Sequence, residues 1–342
     1  MGDERPLVCI CIPTYNAAAT IRDTLVSILA QTYANLVIHV SDNASNDDTL
    51  KIIELLADSR VRIHGHSENI GAEGNFNRCI QLAEGKFTAI FHADDIYEPD
   101  MVTKQVAFLE AHPEAGAVFT DASIIDGKGR RIGKLRLPGD IASQGGLYCF
   151  TTMFKAVVRH SNFFVCPSFM VCTQIYQQEI RVWRGEQFGW GADLDVWLRI
   201  LQSHPIGHIP EQLIRYRISN AQFSARVRLD TERGVLFRVL DHYIGQDRVR
   251  AVLDRNDLRN YRWLERRNRV MRALNLFLVD RRQEARQLLG DIFSWDALEA
   301  AFRSRRGLLV LIAGAYVMLL LALGLKRVGR ATLSYVKQVT HR

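Results

Sequence analysis

The chain has 342 residues, a hydrophobic fraction of 48%, a charged fraction of 24% and a formal net charge of +7. Those fractions belong to a folded protein and exclude a disordered or low-complexity chain. The length allows one large domain with an extension, or two domains. The six cysteines (Cys9, Cys11, Cys79, Cys149, Cys166 and Cys172) form no CxxC pair and no regular framework, which predicts reduced thiols in a cytosolic setting.

The opening MGDERPLVCI has no basic stretch followed by an apolar one, so no signal peptide is expected. Pro6 stands where a myristoylation signal has Ser or Thr. LVCICIPTY predicts a strand that stops at Pro13, with Cys9 and Cys11 as small buried hydrophobes. AATIRDTLVSILAQ places Ile21, Leu25, Ile28 and Leu29 at helical spacing. NLVIHVSD predicts a strand ending on Asp42, and SNDDT then caps a helix carrying Ile52, Ile53, Leu55 and Leu56. RVRIHGH predicts a short strand, NIGAEGNFNRCIQLAEG a loop and helix, and KFTAIFHADD a fourth strand. AGAVFTDASIID predicts a further strand, turning at Gly127 and Gly129. Beyond it, FFVCPSFMV and IRYRISN are strand-like and GADLDVWLRILQSH is helix-like, while residues 228–303 predict arginine-rich amphipathic helices.

Strands and helices alternating every 25 to 30 residues or so predict an α/β fold, a mostly parallel Rossmann-like sheet flanked by helices. Ligands of such sheets sit at the carboxyl ends of the strands. Thr14, Tyr15 and Asn16 fall after the first strand, Asp42 after the second, and the adjacent acids Asp94 and Asp95 after the fourth. Two neighbouring carboxylates repel each other unless solvated or joined by a cation. A hard divalent ion, Mg2+ or Mn2+, removes that repulsion and takes substrate phosphates as further ligands. A leaving diphosphate, and hence a nucleotide diphosphate substrate, is thereby indicated. Neither GxGxxG nor GxxxxGK[ST] is present, which argues against a dinucleotide cofactor and a P-loop.

PTYN, SDNASNDDT, NIGAEGNFNRCIQLAEGKF, HADDIYEPD and ADLDVWLRI, in this order over residues 6–225, resemble the family 2 inverting glycosyltransferases of the GT-A fold. The resemblance implies that Pro13, Thr14, Tyr15 and Asn16 line a nucleoside pocket and that Asp42 accepts from the base. Asn69 and Asn75 would border base and ribose. Asp94 would contact ribose or metal, Asp95 would ligate the metal, and Asp193 would be the general base. His92 replaces the first acid of the family's DxD-type element and Ala192 the glutamate before Asp193. His92 then either assists the metal or is structural. Asp195 competes with Asp193, and two such positions on one helix do not share a face. Arg217, Ser219 and Gln222 lie where the family closes a loop over the diphosphate; Arg217 is assigned a phosphate contact, although Ser219 stands where a histidine is commoner. No QxxRW spacing is present, so transfer of single sugars is expected rather than processive polymerisation.

GLLVLIAGAYVMLLLALGL, residues 307–325, carries no charge and spans roughly 28 Å as a helix, near the hydrocarbon thickness of a bilayer. It is flanked by RSRR and KRVGR, and basic residues on both sides do not fit a simple crossing. Either it crosses or it stays at one face. The expected organisation is therefore a catalytic domain over 1–225, an arginine-rich helical extension over 226–303 and a membrane-associated helix over 304–342. The location would be the cytoplasmic face of a membrane, anchored by residues 307–325. A metal-dependent transferase working on a nucleotide-sugar donor and a glycan or lipid-linked acceptor fits these features, with membrane lipid as a partner, no nucleic acid and an oligomer allowed. A membrane-anchored relative that binds nucleotide sugars without turnover is the alternative. A nucleotidyltransferase would need a basic glycine-rich loop after the first strand, where only Arg22 is available.

Overall fold

A computed structural model describes residues 5–56, 58–142, 146–218, 231–303 and 305–339. The chain divides into two compact units, Met1–Phe154 with Asn162–Ile218 and Lys155–Ser161 with Ser219–Arg342.

In the first unit, the apolar run Val8–Thr14 (β1) is buried along almost all of its length, as befits a strand covered on both faces. Ile21–Leu29 (α1) follows and buries Ile21, Leu25 and Ile28, one stripe at helical spacing. Leu36–Asp42 (β2) is buried throughout. Next come Thr49–Leu55 (α2), Val61–Gly65 (β3), Gly71–Leu82 (α3) and Phe87–Ile90 (β4). The cap of α2 comes from one residue earlier than its first flank: Asp47 Oδ1 accepts from the Thr49 amide at 3.0 Å. Ile96–Tyr97 (β5), Met101–Ala111 (α4), Ala117–Asp126 (β6) and Arg131–Leu135 (β7) continue the chain. Then follow Gly139–Ala142 (α5), Leu147–Tyr148 (β8), Phe150–His160 (α6, whose residues from Lys155 on belong to the second unit), Met170–Cys172 (β9), Gly185–Phe188 (α7), Ala192–Ser203 (α8) and Ile206–Ile218 (β10).

One sheet runs β3-β2-β1-β4-β9-β6-β10-β5, with β7 beside β6 and β8 beside β10. The long ladders β1–β2, β2–β3, β1–β4 and β6–β10 are parallel. The strand-like stretch FFVCPSFMV forms a strand only at its end. Pro167 lacks a ladder donor and sits in a 3-10 turn over Cys166–Ser168, and the three-residue β9 that remains pairs antiparallel with both β4 and β6. Alternate residues of β1 take opposite faces. Val8, Ile10 and Ile12 join the cluster built by α1 and α4, whereas Cys9 and Cys11 point toward α3, where the Cys11 thiol donates to the Cys79 carbonyl at 3.4 Å. Helices thus cover both faces, and the carboxyl ends of β1, β2 and β4 open on one edge.

The second unit is helical: Val235–Ile244 (α9), Asp247–Arg250 (α10), Arg255–Leu278 (α11), Arg282–Leu288 (α12), Trp295–Arg303 (α13), Arg305–Leu323 (α14) and Lys326–Val339 (α15). A capping box starts α11. Asp254 accepts from the amides of Asn256 and Asp257, and Asp257 accepts in return from the Asp254 amide. Val270, Leu274 and Phe277 of α11 pack with Ala285, Leu289 and Ile292 and with Val310, Val317, Leu320 and Leu321 of α14. Gly314 allows this approach, since a Cβ there would lie 2.4 Å from Ile292.

Candidate active site

The loops after β1 and β2 are tied to one another. Asn16 holds a positive φ of 48°, a conformation asparagine tolerates better than most residues, and its amide donates to the Ser45 hydroxyl at 2.9 Å. The Asn46 amide donates back to Asn16 Oδ1 at 2.9 Å. Asp42 is buried at the end of β2 and accepts from the Ser45 amide at 2.9 Å and the Ser45 hydroxyl at 2.6 Å. Pro13 and Thr14 close β1, with the Thr14 hydroxyl on the Ser41 carbonyl, while Tyr15 stands half exposed beyond them. Asn75, buried on α3, spans the ends of both strands by donating to the carbonyls of Ser41 (3.0 Å) and Thr14 (3.3 Å). Its own Oδ1 is buried without a hydrogen-bond partner.

Asn69 is brought to the same edge by a residue to which sequence reasoning gave no role. The Asn43 amide donates to Asn69 Oδ1 at 2.9 Å and to the Gly71 carbonyl, and its oxygen accepts from Ile70. The signal was available in SDNASNDDT, where an asparagine beside the strand-end acid is suited to bond neighbouring backbone.

After β4 the chain turns sharply, and four side chains fix the turn. Tyr97 accepts from the His92 amide at 2.7 Å, Thr20 donates to the Ala93 carbonyl, Thr24 donates to the Asp95 carbonyl, and Arg217 donates from Nε to the Asp94 carbonyl at 2.7 Å. The Arg217 amide also donates to Asp95 Oδ1 at 2.8 Å. Asp95 is fully buried, and its Oδ2 has no hydrogen-bond partner. Burial, and then the charge of Asp94, push its carboxyl well above the usual carboxylate range. Ligand atoms of His92, Asp94 and Asp95 all lie within 4.8 Å of one another. A buried carboxylate oxygen left unbonded beside a second carboxylate and an imidazole is the donor set a divalent cation completes. Arg217 is itself buried and anchored to this main chain, with its guanidinium also 3.8 Å from Asp23. Ser219 and Gln222 lie outside the described residues.

The structure separates the two acids of α8. Asp195 is fully buried and held by Arg184 (Nε to Oδ2, 2.9 Å) and by Arg199 one turn on (Nε to Oδ2, 3.0 Å), with a second Arg184 nitrogen on Oδ1. Asp193 takes another face. It is half-buried, accepts from the Leu194 amide at 2.6 Å, and burial raises its carboxyl to about 6. Two further groups, neither singled out from sequence, share its surroundings. Burial first, then Asp193 and Asp95, push up the Cys166 thiol. Burial, then Asp95, Asp94 and Asp193, push up the Tyr216 hydroxyl. The acids at the end of β4 and at the start of α8 therefore act on one corner of the first unit. Replacing Asp195 with alanine leaves two arginines facing a buried gap and is expected to cost about 3 kcal/mol in denaturant unfolding. An Asp195→Ala variant as stable as the parent would show that this pairing is incidental.

A sequence profile described as "Glycosyl transferase family 2" matches residues 9–179, which contain the strand-end residues described above up to β9. The chain belongs to glycosyl transferase family 2. The glycosyltransferase is 28% identical over 226 residues to an uncharacterized glycosyltransferase of Haemophilus influenzae, covering 64% of this chain and 68% of that protein. It is 36% identical over 104 residues to WfaP of Escherichia coli, named a UDP-Glc:alpha-D-GlcNAc-diphosphoundecaprenol beta-1,3-glucosyltransferase; the match covers 30% of this chain and 41% of that one. Among solved structures, S. aureus TarS 1-349 in complex with UDP-GlcNAc superposes with a TM-score of 0.55 over 87% of this chain and 91% of its own, at 14% identity. That likeness bears on the fold, which is the GT-A arrangement of a central sheet flanked by helices. The glycosyltransferase carries the expected C-terminal helices and the expected apolar helix as α14.

Proposed function

We propose that the chain transfers a sugar from a UDP-linked donor to an acceptor hydroxyl, with inversion at the anomeric carbon and with Mg2+ or Mn2+ held by Asp94 and Asp95. The observation that carries this reading is Asp193. Its carboxyl is raised to about 6 by burial, so it is ionised at neutral pH yet basic enough to take a proton, and it shares the Tyr216 corner with the strand-end acids. Asp193 accepts the acceptor's hydroxyl proton as that oxygen approaches the anomeric carbon from the side opposite the diphosphate. The cation, when bound, neutralises charge on the departing diphosphate. Pro13, Thr14, Tyr15 and Asn16 receive the nucleoside. Asp42 accepts from the base, with lone pairs remaining beyond its bonds to Ser45, and Asn69 and the free oxygen of Asn75 border base and ribose. Arg217 holds the 94–95 turn in place and, in this reading, offers its charge to the diphosphate.

The acceptor is a lipid-linked or surface-polysaccharide precursor, and the protein works at the cytoplasmic face of a membrane, anchored by residues 307–325. The activity for which WfaP is named, on a diphosphoundecaprenol substrate, and the apolar α14 support this. The test is nucleotide release by purified full-length protein in detergent, offered UDP-, dTDP- and GDP-sugars with Mn2+ or Mg2+. Slow hydrolysis of a UDP-sugar is expected, absent without metal and absent in Asp95→Ala and Asp193→Asn. Release from GDP-sugars alone would overturn the donor assignment, and turnover that survives chelation would overturn the metal.

A further inference from the structure

Helix α14 is uniform in composition but two-faced in its surroundings. Gly307, Val310, Gly314, Val317, Leu320 and Leu321 are buried, a spacing that turns one stripe toward α11 and Ile292. The other stripe is apolar as well: Leu308, Leu309, Ile312, Met318, Leu319 and Leu323 are each 40% to 64% exposed. A surface helix of a soluble protein puts polar residues there. An apolar patch this continuous marks a docking surface. Trp295 and Phe302 of the preceding helix are 87% and 90% exposed, aromatic groups suited to a membrane interface.

Charge identifies what docks. From residue 300 onward the chain has no Asp or Glu, while Arg303, Arg305 and Arg306 precede the stripe and Lys326, Arg327 and Arg330 follow it. An anionic leaflet complements that pattern. A second copy of the chain does not, because a twofold contact through this face brings its own cations together.

Packing sets the depth. Trp263 and Arg266 of α11 line the same small cavity as Gly307 and Val310, and Val270 lies 3.5 Å from where a Cβ of Gly314 would be, so the two helices run side by side. Were α14 to cross a bilayer, the stretch of α11 beside it would carry Arg266, Arg267, Arg269 and Arg272 into hydrocarbon, together with Asp291, which pairs with Arg269 at 2.8 Å. We propose that α14 does not span: it lies along one leaflet of an anionic bilayer, its outer stripe among the acyl chains and the flanking arginines at the phosphates. This deepens the membrane placement proposed above and stands apart from the donor site.

The test uses the full chain with an epitope tag at each terminus. It should float with phosphatidylglycerol-containing vesicles, and about tenfold less with phosphatidylcholine alone or in high salt. In sealed membrane vesicles from expressing cells, added protease should remove both tags or spare both. Ile312→Glu with Leu319→Glu should abolish flotation while leaving the melting temperature unchanged, since both side chains face outward. Tags on opposite sides would overturn the proposal. So would undiminished flotation of the double variant, or a wild type that dimerises through this face and never floats. A chain that binds UDP with a divalent cation in detergent but ignores vesicles would sink this inference and leave the transferase reading intact.

Discussion

Asp193→Asn is expected to lower kcat by about a thousandfold while leaving donor affinity within a factor of two or so, because asparagine keeps the shape and loses the base. The wild-type pH profile should show the same group. Activity needs the carboxylate, so kcat/KM rises with pH and levels off above about 6. Stability runs the other way. The folded-state value is raised above the ordinary 3.8, so between 3.8 and about 6 the folded chain holds a proton that the unfolded chain has released. Stability therefore falls as pH rises through that window, and the loss is complete above it. Asp193→Asn should consequently stabilise the protein at pH 7, on the order of 2 kcal/mol, and do nothing near pH 3. A dead but stabilised variant is the signature of a catalytic group held against its own solvation. A variant with lost activity, unchanged stability and an unchanged acid limb in any residual rate would remove Asp193 from the role of base.

Asp95→Asn should abolish the coupling between metal and nucleotide. In the wild type, UDP with Mn2+ at about a hundred times the dissociation constant should add about 2.7 kcal/mol, which for a chain of this size raises the melting temperature by several degrees. EDTA should reverse the gain. In Asp95→Asn the shift with UDP should be the same with and without metal, since the buried oxygen that lacks a partner is replaced by an uncharged amide. Equal metal-dependent shifts in variant and wild type would show that the cation sits elsewhere.

The sheet's first half was legible because β1, β2 and β4 are apolar runs, with Pro13 one residue before the end of β1, Asp42 at the end of β2 and Asp94 and Asp95 soon after β4. β3 alternates Val61 and Ile63 with polar residues before Gly65, and the helices between carry apolar residues at helical spacing. The strand-end acids were legible for the same reason, since a carboxylate directly after a buried strand stands out. What sequence did not disclose is pairing. Asp193 and Asp195 are two residues apart in one acidic stretch, and only the positions of Arg184 and Arg199 distinguish the structural carboxylate from the other. Asn43, Cys166 and Tyr216 are ordinary residues until the fold brings partners to them. The two surroundings of α14 were hidden by its composition: both stripes are apolar, so no periodicity separates the packed face from the outward one. The short antiparallel β9 was masked by the apolar flanks of Pro167, which read as one strand.

That small strand has a consequence for how the chain is made. β9 is the piece through which β4 and β6 belong to one sheet, and it is translated some eighty residues after β4. While the polypeptide is being synthesised, β1 to β4 can pair early, but β4 then waits with one bare edge, and β6 waits apart from it. Exposed edges of this kind recruit other strands, including those of neighbouring nascent chains. A truncation ending before Met170 should therefore aggregate even though it retains every strand-end acid of β1 to β4. The short insert thus decides when during synthesis the sheet stops being sticky.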